Sequence, residues 1–429
     1  IVEDVRQPAF FQPPVPEGNL KQFKGPLEFP DKIDILVTSK NHDVKMTRVR
    51  EPQPDHWIYA LVTLQTMQGH LGQGNYGISR MNAGFASRPC VSLVPGIEWG
   101  SRFRRDVRVL LDTRSNLLEQ YPHYRPEGGL ALLWLEPWDG NVSLPLDRLD
   151  PYYIEICRRV RLDIAGGRIV AYTRPTKTTR LAAKLKGNTG DPWTPIKSKD
   201  ASALTVSRDG FRYDLLQQIL FTPDFQPGAC QRPHKGDPEE GNVLLAIAMA
   251  REPGKTEGIH ERHLPIPKNV RNWLMLDEER DRLARLAKER VNDAGTLSKK
   301  ALKPALLALL QGGPEKLNFK DERADKWLEA FNRQVDHDFF PDLWGALDLE
   351  EEEARKVWQK KLVEISRGIL REAERALPVP AARRYRALAA AERVFDDAVF
   401  KHFPRIHGDR PGTIRAMPES KMVPPPTRG

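Results

Sequence analysis

The sequence predicts an α+β protein, with a mixed α/β N-terminal domain followed by a C-terminal four-helix bundle. Three observations carry this reading. Of the 429 residues, 40% are hydrophobic and 29% charged, enough apolar material for a sizeable core and too much for a disordered chain. Up to about residue 270 the chain is made of short apolar runs broken by prolines and glycines. Beyond that point apolar residues recur at helical spacing on a charged background. At roughly 150 residues per domain the length allows two or three domains, and the chain divides as 1–267, 268–403 and a tail, 404–429, rich in Pro, Gly and Arg and expected to be flexible. The first boundary falls at Pro265-Ile266-Pro267, where two prolines oppose a continued helix.

The elements follow in order. Ile33 to Val37 reads as a short strand, and Trp57 to Met67 as a buried helix stopped by Gly69. Leu130 to Leu135, bounded by Gly129 and Pro137, suits a buried strand, and Arg168 to Tyr172 another. Phe211 to Phe221 carries Leu215, Leu216, Ile219 and Leu220 on one helical stripe. Val243 to Met249 is apolar throughout, so periodicity leaves strand and helix open. Helices are then expected over Asp277 to Val291, Lys299 to Leu310, Asp321 to Val335, Leu349 to Leu377 and Ala381 to Phe400. Trp327, Phe331 and Val335 mark one face of the third, and short turns between antiparallel neighbours make a four-helix bundle the simplest packing.

Composition narrows the function. Lys+Arg 67 against Asp+Glu 58 leaves a formal charge of +9, which permits a polyanionic partner without requiring one. No run of about 18 apolar residues exists to span a membrane, and no charged-then-apolar leader opens the sequence. Cys90, Cys157 and Cys230 are far apart and form no CxxC pair, which argues against a disulfide scaffold or a four-cysteine zinc site. A reducing cytoplasm is the expected location.

Gly72-Gln73-Gly74-Asn75-Tyr76-Gly77 is a literal GxGxxG, with Glu98 downstream. A dinucleotide fingerprint needs a strand before it and a helix after it. Here a helical segment precedes it and no helical stripe follows, so the stretch reads as a long glycine-spaced loop carrying Tyr76, Arg80, Asn82, Phe85 and Arg88. Glycines admit close backbone approach, and arginines beside aromatics suit phosphates and bases; a plain surface loop is the alternative. Arg102, Arg104 and Arg105 either track phosphates or form a solvated helix face with Asp106 and Asp112. Arg174, Lys177, Arg180, Lys184, Lys186, Lys197 and Lys199 form a basic segment with only Asp191 among them, a nucleic-acid candidate. His260-Glu261-Arg262-His263 is one residue too short for HExxH, and Asp336-His337-Asp338 reads as an exposed helix end. Nucleophile, base and metal cluster do not assemble, so neither catalysis nor a cofactor is expected.

Pro8 to Gln12, Asp34 to Lys45, Gly74 to Pro89 and Leu245 to His263 together resemble CasA, the large subunit of the type I-E CRISPR surveillance complex Cascade. The resemblance implies a non-enzymatic subunit. It would read the protospacer-adjacent motif (PAM) of double-stranded target DNA, wedge the duplex open, support the R-loop and help recruit the helicase–nuclease. The implied partners are CRISPR RNA, target double-stranded DNA, the other Cascade subunits and the helicase–nuclease effector. Position by position it implies Thr38, Ser39, Lys40, Asn41 and His42 as an anchoring loop near the RNA. Ala83, Gly84 and Phe85 would face the PAM, Gly254, Lys255 and Thr256 would form the wedge, and Lys177, Lys184 or Lys186 would supply a minor-groove lysine. Three departures stand out. Lys255 or Thr256 takes the place of a wedge glutamine, paired zinc-binding cysteines are missing, and the segment that usually precedes the Pro8 region has no counterpart. The rival readings are a metal-dependent nuclease using His260, Glu261, His263 or Asp336 to Asp338, and a structural RNA-binding subunit without DNA readout.

Overall fold

A computed structural model describes residues 1–33, 48–82, 86–182, 185–252, 255–275, 277–376 and 381–406. The chain forms two compact units, Ile1–Arg285 and Leu286–Gly429. Pro265 to Pro267 marks the end of a strand and the start of a helix, and the division between the units comes some twenty residues later, inside a helix.

The first unit opens with β1 (Lys24–Leu27) and a 3-10 turn at Pro30–Lys32. Asp34 to Val37, most of the expected first strand, lies outside the described residues. Helix α1 (Pro54–Met67) forms where expected. Proline sits in its first turn, where no amide partner is lost, and Trp57, Ala60, Leu61 and Leu64 bury one face. Buried Gln65 fastens this helix: its amide donates to the carbonyls of Phe11 (3.0 Å) and Arg158 (2.9 Å), and its oxygen accepts from the amides of Cys157 (2.8 Å) and Arg158 (2.9 Å).

β2 (Cys90–Val94) follows, then α2 (Trp99–Gln120), so the arginine-rich stretch starts a 22-residue helix. β3 (Leu130–Leu132) is shorter than expected, because Leu133–Leu135 turn into a 3-10 helix that buries Leu133 and Trp134 beside Trp138. β4 (Leu149–Ile154) pairs with β3, and β5 (Arg159–Ala165) and β6 (Arg168–Arg174) form an antiparallel hairpin to which β1 adds. β7 (Ile196–Lys197), β8 (Ser202–Ala203) and β9 (Phe225–Gln226) make a small sheet around α3 (Tyr213–Phe221).

The ambiguous apolar run is a strand. β10 (Asn242–Glu252) and β11 (Lys255–Ile266) form a long antiparallel hairpin, and β2 pairs with Val243 to Ile247 on its outer edge. Burial on both faces explains the missing alternation: Leu244, Leu245, Ala246, Ala248, Met249 and Ala250 are all buried. α4 (Lys268–Met275) follows the hairpin.

α5 (Asp277–Thr296) carries the chain across the division and runs through a π-helical turn, Leu297–Leu302, into α6 (Lys303–Leu310). α7 (Asp325–Gly345), α8 (Glu351–Arg375) and α9 (Ala381–His402) complete the C-terminal helices, with α6 packed on α9 and α7 on α8. α7 runs ten residues beyond the expected Val335 despite Pro341, because Phe339, Phe340 and Leu343 are fully buried. Trp358 meets Phe339 edge-on at 5.8 Å and donates its indole N–H to the Arg290 carbonyl at 3.2 Å.

Candidate nucleic-acid interface

The glycine-rich stretch leaves α1 as a loop, with no helix after it. Its glycines serve close packing. A Cβ at Gly69 would stand 1.8 Å from the Ala86 carbonyl oxygen, and one at Gly74 would stand 2.8 Å from the Pro175 side chain. Gly74 also has φ +88°, and its carbonyl accepts the Thr176 amide at 2.9 Å. Gly72 faces open space, so there it is the φ of +89° that calls for glycine.

Charged and polar groups beneath the loop fix its path. Ser79 donates from its amide (2.7 Å) and its hydroxyl (2.9 Å) to the Glu155 carboxyl, and its Oγ lies 2.7 Å from the Tyr153 hydroxyl. Burial pushes the Glu155 carboxyl up to about 7, against the Ser79 hydrogen bonds and the Arg80 and Arg88 charges. Arg80 is itself buried, donating to the carbonyls of Pro151 (2.9 Å) and Tyr153 (3.2 Å) with its guanidinium 3.9 Å from the Tyr153 ring centroid. Arg88 forms a two-point pair with buried Asp191 at 2.5 and 2.9 Å. Burial alone would raise the Asp191 carboxyl, but the Arg88 charge overcomes it and holds the group below its usual range. The loop's two ends also grip the long hairpin: Gln68 Nε2 donates to Met249 Sδ at 2.9 Å, and the Ser87 hydroxyl donates to the Met249 carbonyl.

The expected phosphate contacts therefore separate. Arg80 and Arg88 spend their donors inside the protein. Arg105 does so too, on Asp237 (2.8 and 3.1 Å) and on the carbonyls of Cys230 and Arg232. Arg104 is exposed and reaches Ser101 at 3.3 Å, and Arg102 lies over the Trp99 ring at 4.9 Å. In the basic segment Arg180 is buried, bonded to the carbonyls of Leu133 (3.0 Å) and Glu136 (3.2 Å), and burial pulls it down to about 10. Lys177, Lys186 and Lys199 remain exposed.

At the hairpin, Lys255 opens β11 opposite Glu252, and Thr256 pairs with Arg251 after a register shift at Ala250. Thr38 to His42, Ala83, Gly84, Phe85, Lys184 and Gly254 lie outside the described residues. His260 to His263 form strand, so alternate residues face opposite sides, and a helical metal motif is ruled out. His263 Nε2 meets Glu261 at 2.7 Å, and exposed His337 meets Asp338 at 2.7 Å. Among the described residues no three His, Cys, Asp or Glu converge as a metal site.

Sequence reasoning missed Ser79, Glu155 and Asp237, whose partners lie 76 and 132 residues away. Asp191 carried a signal, as the lone acid in a basic segment. An acid kept among cations suggests a buried partner.

The molecule is thus an α+β protein whose glycine-rich loop is clamped to a long β-hairpin, followed by a helical unit. No family model and no curated protein matches the chain. Solved structures do. CasA of Thermus thermophilus superposes with a TM-score of 0.57 at 15% identity, covering 91% of this chain and 78% of that one. Cse1 of Thermobifida fusca gives 0.57 at 15%, covering 93% and 79%. The CRISPR-associated protein Cse1 of Acidimicrobium ferrooxidans gives 0.54 at 14%, covering 91% and 78%. The chain has the CasA/Cse1 fold.

Proposed function

We propose that this chain is the large subunit of a type I-E Cascade complex, a non-catalytic component that works with CRISPR RNA and the other Cascade subunits. In this reading it recognises the PAM of double-stranded target DNA, opens the adjoining duplex, supports the R-loop and helps recruit the helicase–nuclease. The observation that carries it is the CasA/Cse1 fold over nine-tenths of the chain. The hairpin adds physical support. Strands of 11 and 12 residues pair antiparallel, and the glycine-rich loop bonds the first of them at Met249, a support suited to a wedge. The division of labour is also sound, since guide pairing reads the long sequence and protein reads a short duplex motif.

A wedge must offset the unstacking of a base step, a few kcal/mol that arise only on duplex. Replacing Lys255 and Thr256 with glycine should therefore weaken duplex binding by the assembled complex by roughly 1 to 3 kcal/mol, the scale of one base-level contact. Binding to a single-stranded complementary target should stay level. Affinities for both targets at one fixed salt concentration decide the matter. Equal losses would indicate a general electrostatic contact, and no loss on either would remove the tip from duplex opening.

A further inference from the structure

A second cationic feature lies apart from the hairpin. β1, the start of β5, the end of β6 and Asn75 enclose a cleft of about 240 Å³. Five cations line it: Lys24, Lys32, Arg158, Arg159 and Arg174. Among the described residues Glu17 lies 3.0 Å from Arg159 and is also bonded to Arg174, one carboxylate shared between two of these arginines. The three arginines are held in place. Arg158 donates to the Gly69 carbonyl at 3.0 Å and to Tyr76, while Arg159 donates to the Asp139 carbonyl at 2.8 Å and stacks 5.0 Å from the Phe23 ring. Burial, chiefly, with a smaller push from the adjacent Arg174 charge, pulls the Arg159 guanidinium below its usual range.

Lys24 and Lys32 are different. Both are exposed at the rim, and among the described residues neither has a carboxylate partner. Thr173 and Asn75 add polar groups to the wall, and Leu27, Leu64 and Val160 give it an apolar floor. Exposed Lys177 stands close by, its amide donating to the Gly140 carbonyl while Gly140 lies beside the Arg159 side chain, so a further cation flanks the cleft. Cations in the cleft and a further one on its flank suit a polyanion better than a single small anion.

We propose that this cleft is a phosphate site for a nucleic-acid strand, with Lys24 and Lys32 contacting the phosphate and the fixed arginines supplying the field. The site stands independently of PAM reading and of duplex opening. The test uses the full chain with labelled 12-nucleotide single strands, DNA and RNA, each with a 5′-phosphate or a 5′-hydroxyl, titrated across a range of salt. Each phosphate contact on single strands contributes about 0.7 to the slope of log K against log[salt]. Lys24→Ala with Lys32→Ala should lower that slope by about 1.4, leaving the thermal transition unchanged because both side chains are exposed. Lys316→Ala with Lys320→Ala, exposed lysines of the other unit, should leave the slope intact. A loss confined to 5′-phosphorylated strands assigns a terminal phosphate, an equal loss on both assigns an internal phosphodiester, and the DNA and RNA arms identify the strand. An unchanged slope in the Lys24/Lys32 variant, an equal fall in the Lys316/Lys320 control, or no binding by the unaltered chain overturns the proposal.

Discussion

Glu155 is the residue where burial and charge conflict most directly. The unfolded chain releases its proton near the ordinary 4.5, whereas the folded protein holds it up to about 7. A group whose pKa rises on folding contributes stability fully below 4.5, and that stability is lost as pH climbs through 7. The difference is on the order of 3 kcal/mol, since one pKa unit corresponds to about 1.4. The groups facing it are Ser79, Tyr153, Arg80 and Arg88, the last neutralised by Asp191. Glu155→Gln keeps an oxygen for the Ser79 amide and removes the titration. Unfolding by denaturant at pH 5.5 and pH 8 should show the unaltered protein losing stability toward pH 8 and the variant nearly flat. Parallel curves would mean that Glu155 is ionised throughout.

At the scale of elements, the loop between α1 and β2 depends on where side chains are absent. A methyl group at Gly69 meets backbone oxygen, which has nowhere to move, whereas one at Gly72 meets open space. Gly69→Ala should cost roughly 1 to 3 kcal/mol as overpacking and loosen the loop's grip on Met249. Gly72→Ala should cost about 1 kcal/mol, for its positive φ alone. Denaturant midpoints of the two variants give the order, and a smaller loss for Gly69→Ala would contradict the packing account. The same loop shows what the sequence disclosed. The missing strand before and missing helix after the GxGxxG motif were enough to identify a loop, because flanking structure decides what such glycines do. The amphipathic helices were legible for a similar local reason, their spacing being the signal. Val243 to Met249 stayed ambiguous because a strand buried on both faces loses its alternation. Arg80, Arg88 and Arg105 looked like surface cations because a buried arginine and an exposed one are spelled alike. Only the folded chain brings Asp191, Asp237 and the carbonyls within reach of them.

At the scale of the whole molecule, the excess of nine positive charges is less available than the composition implies. Arg80, Arg105, Arg159, Arg161 and Arg180 are buried and bonded internally, and partly buried Arg88 is paired with Asp191, so these cations are not offered to solvent. Assembly is the level at which Thr38 to His42 is proposed to act, as the loop that anchors this subunit near the RNA. Deleting those five residues should release the subunit from the reconstituted complex while its circular dichroism and melting temperature stay unchanged. Co-migration of the deleted subunit with the complex would refute that placement.

The double grip on Met249 turns the hairpin into a lever with a defined fulcrum. Beyond Met249 three residues of β10 remain before the turn, an arm of about 10 Å at the rise of an extended strand. Gln68 and Ser87 hold the fulcrum from the two ends of one loop, so a force on the tip becomes a torque on that loop. An arm this short resists bending and delivers its load close to its root. A load on β10 at Met249 is therefore met by Gln68 and Ser87, the two ends of one loop.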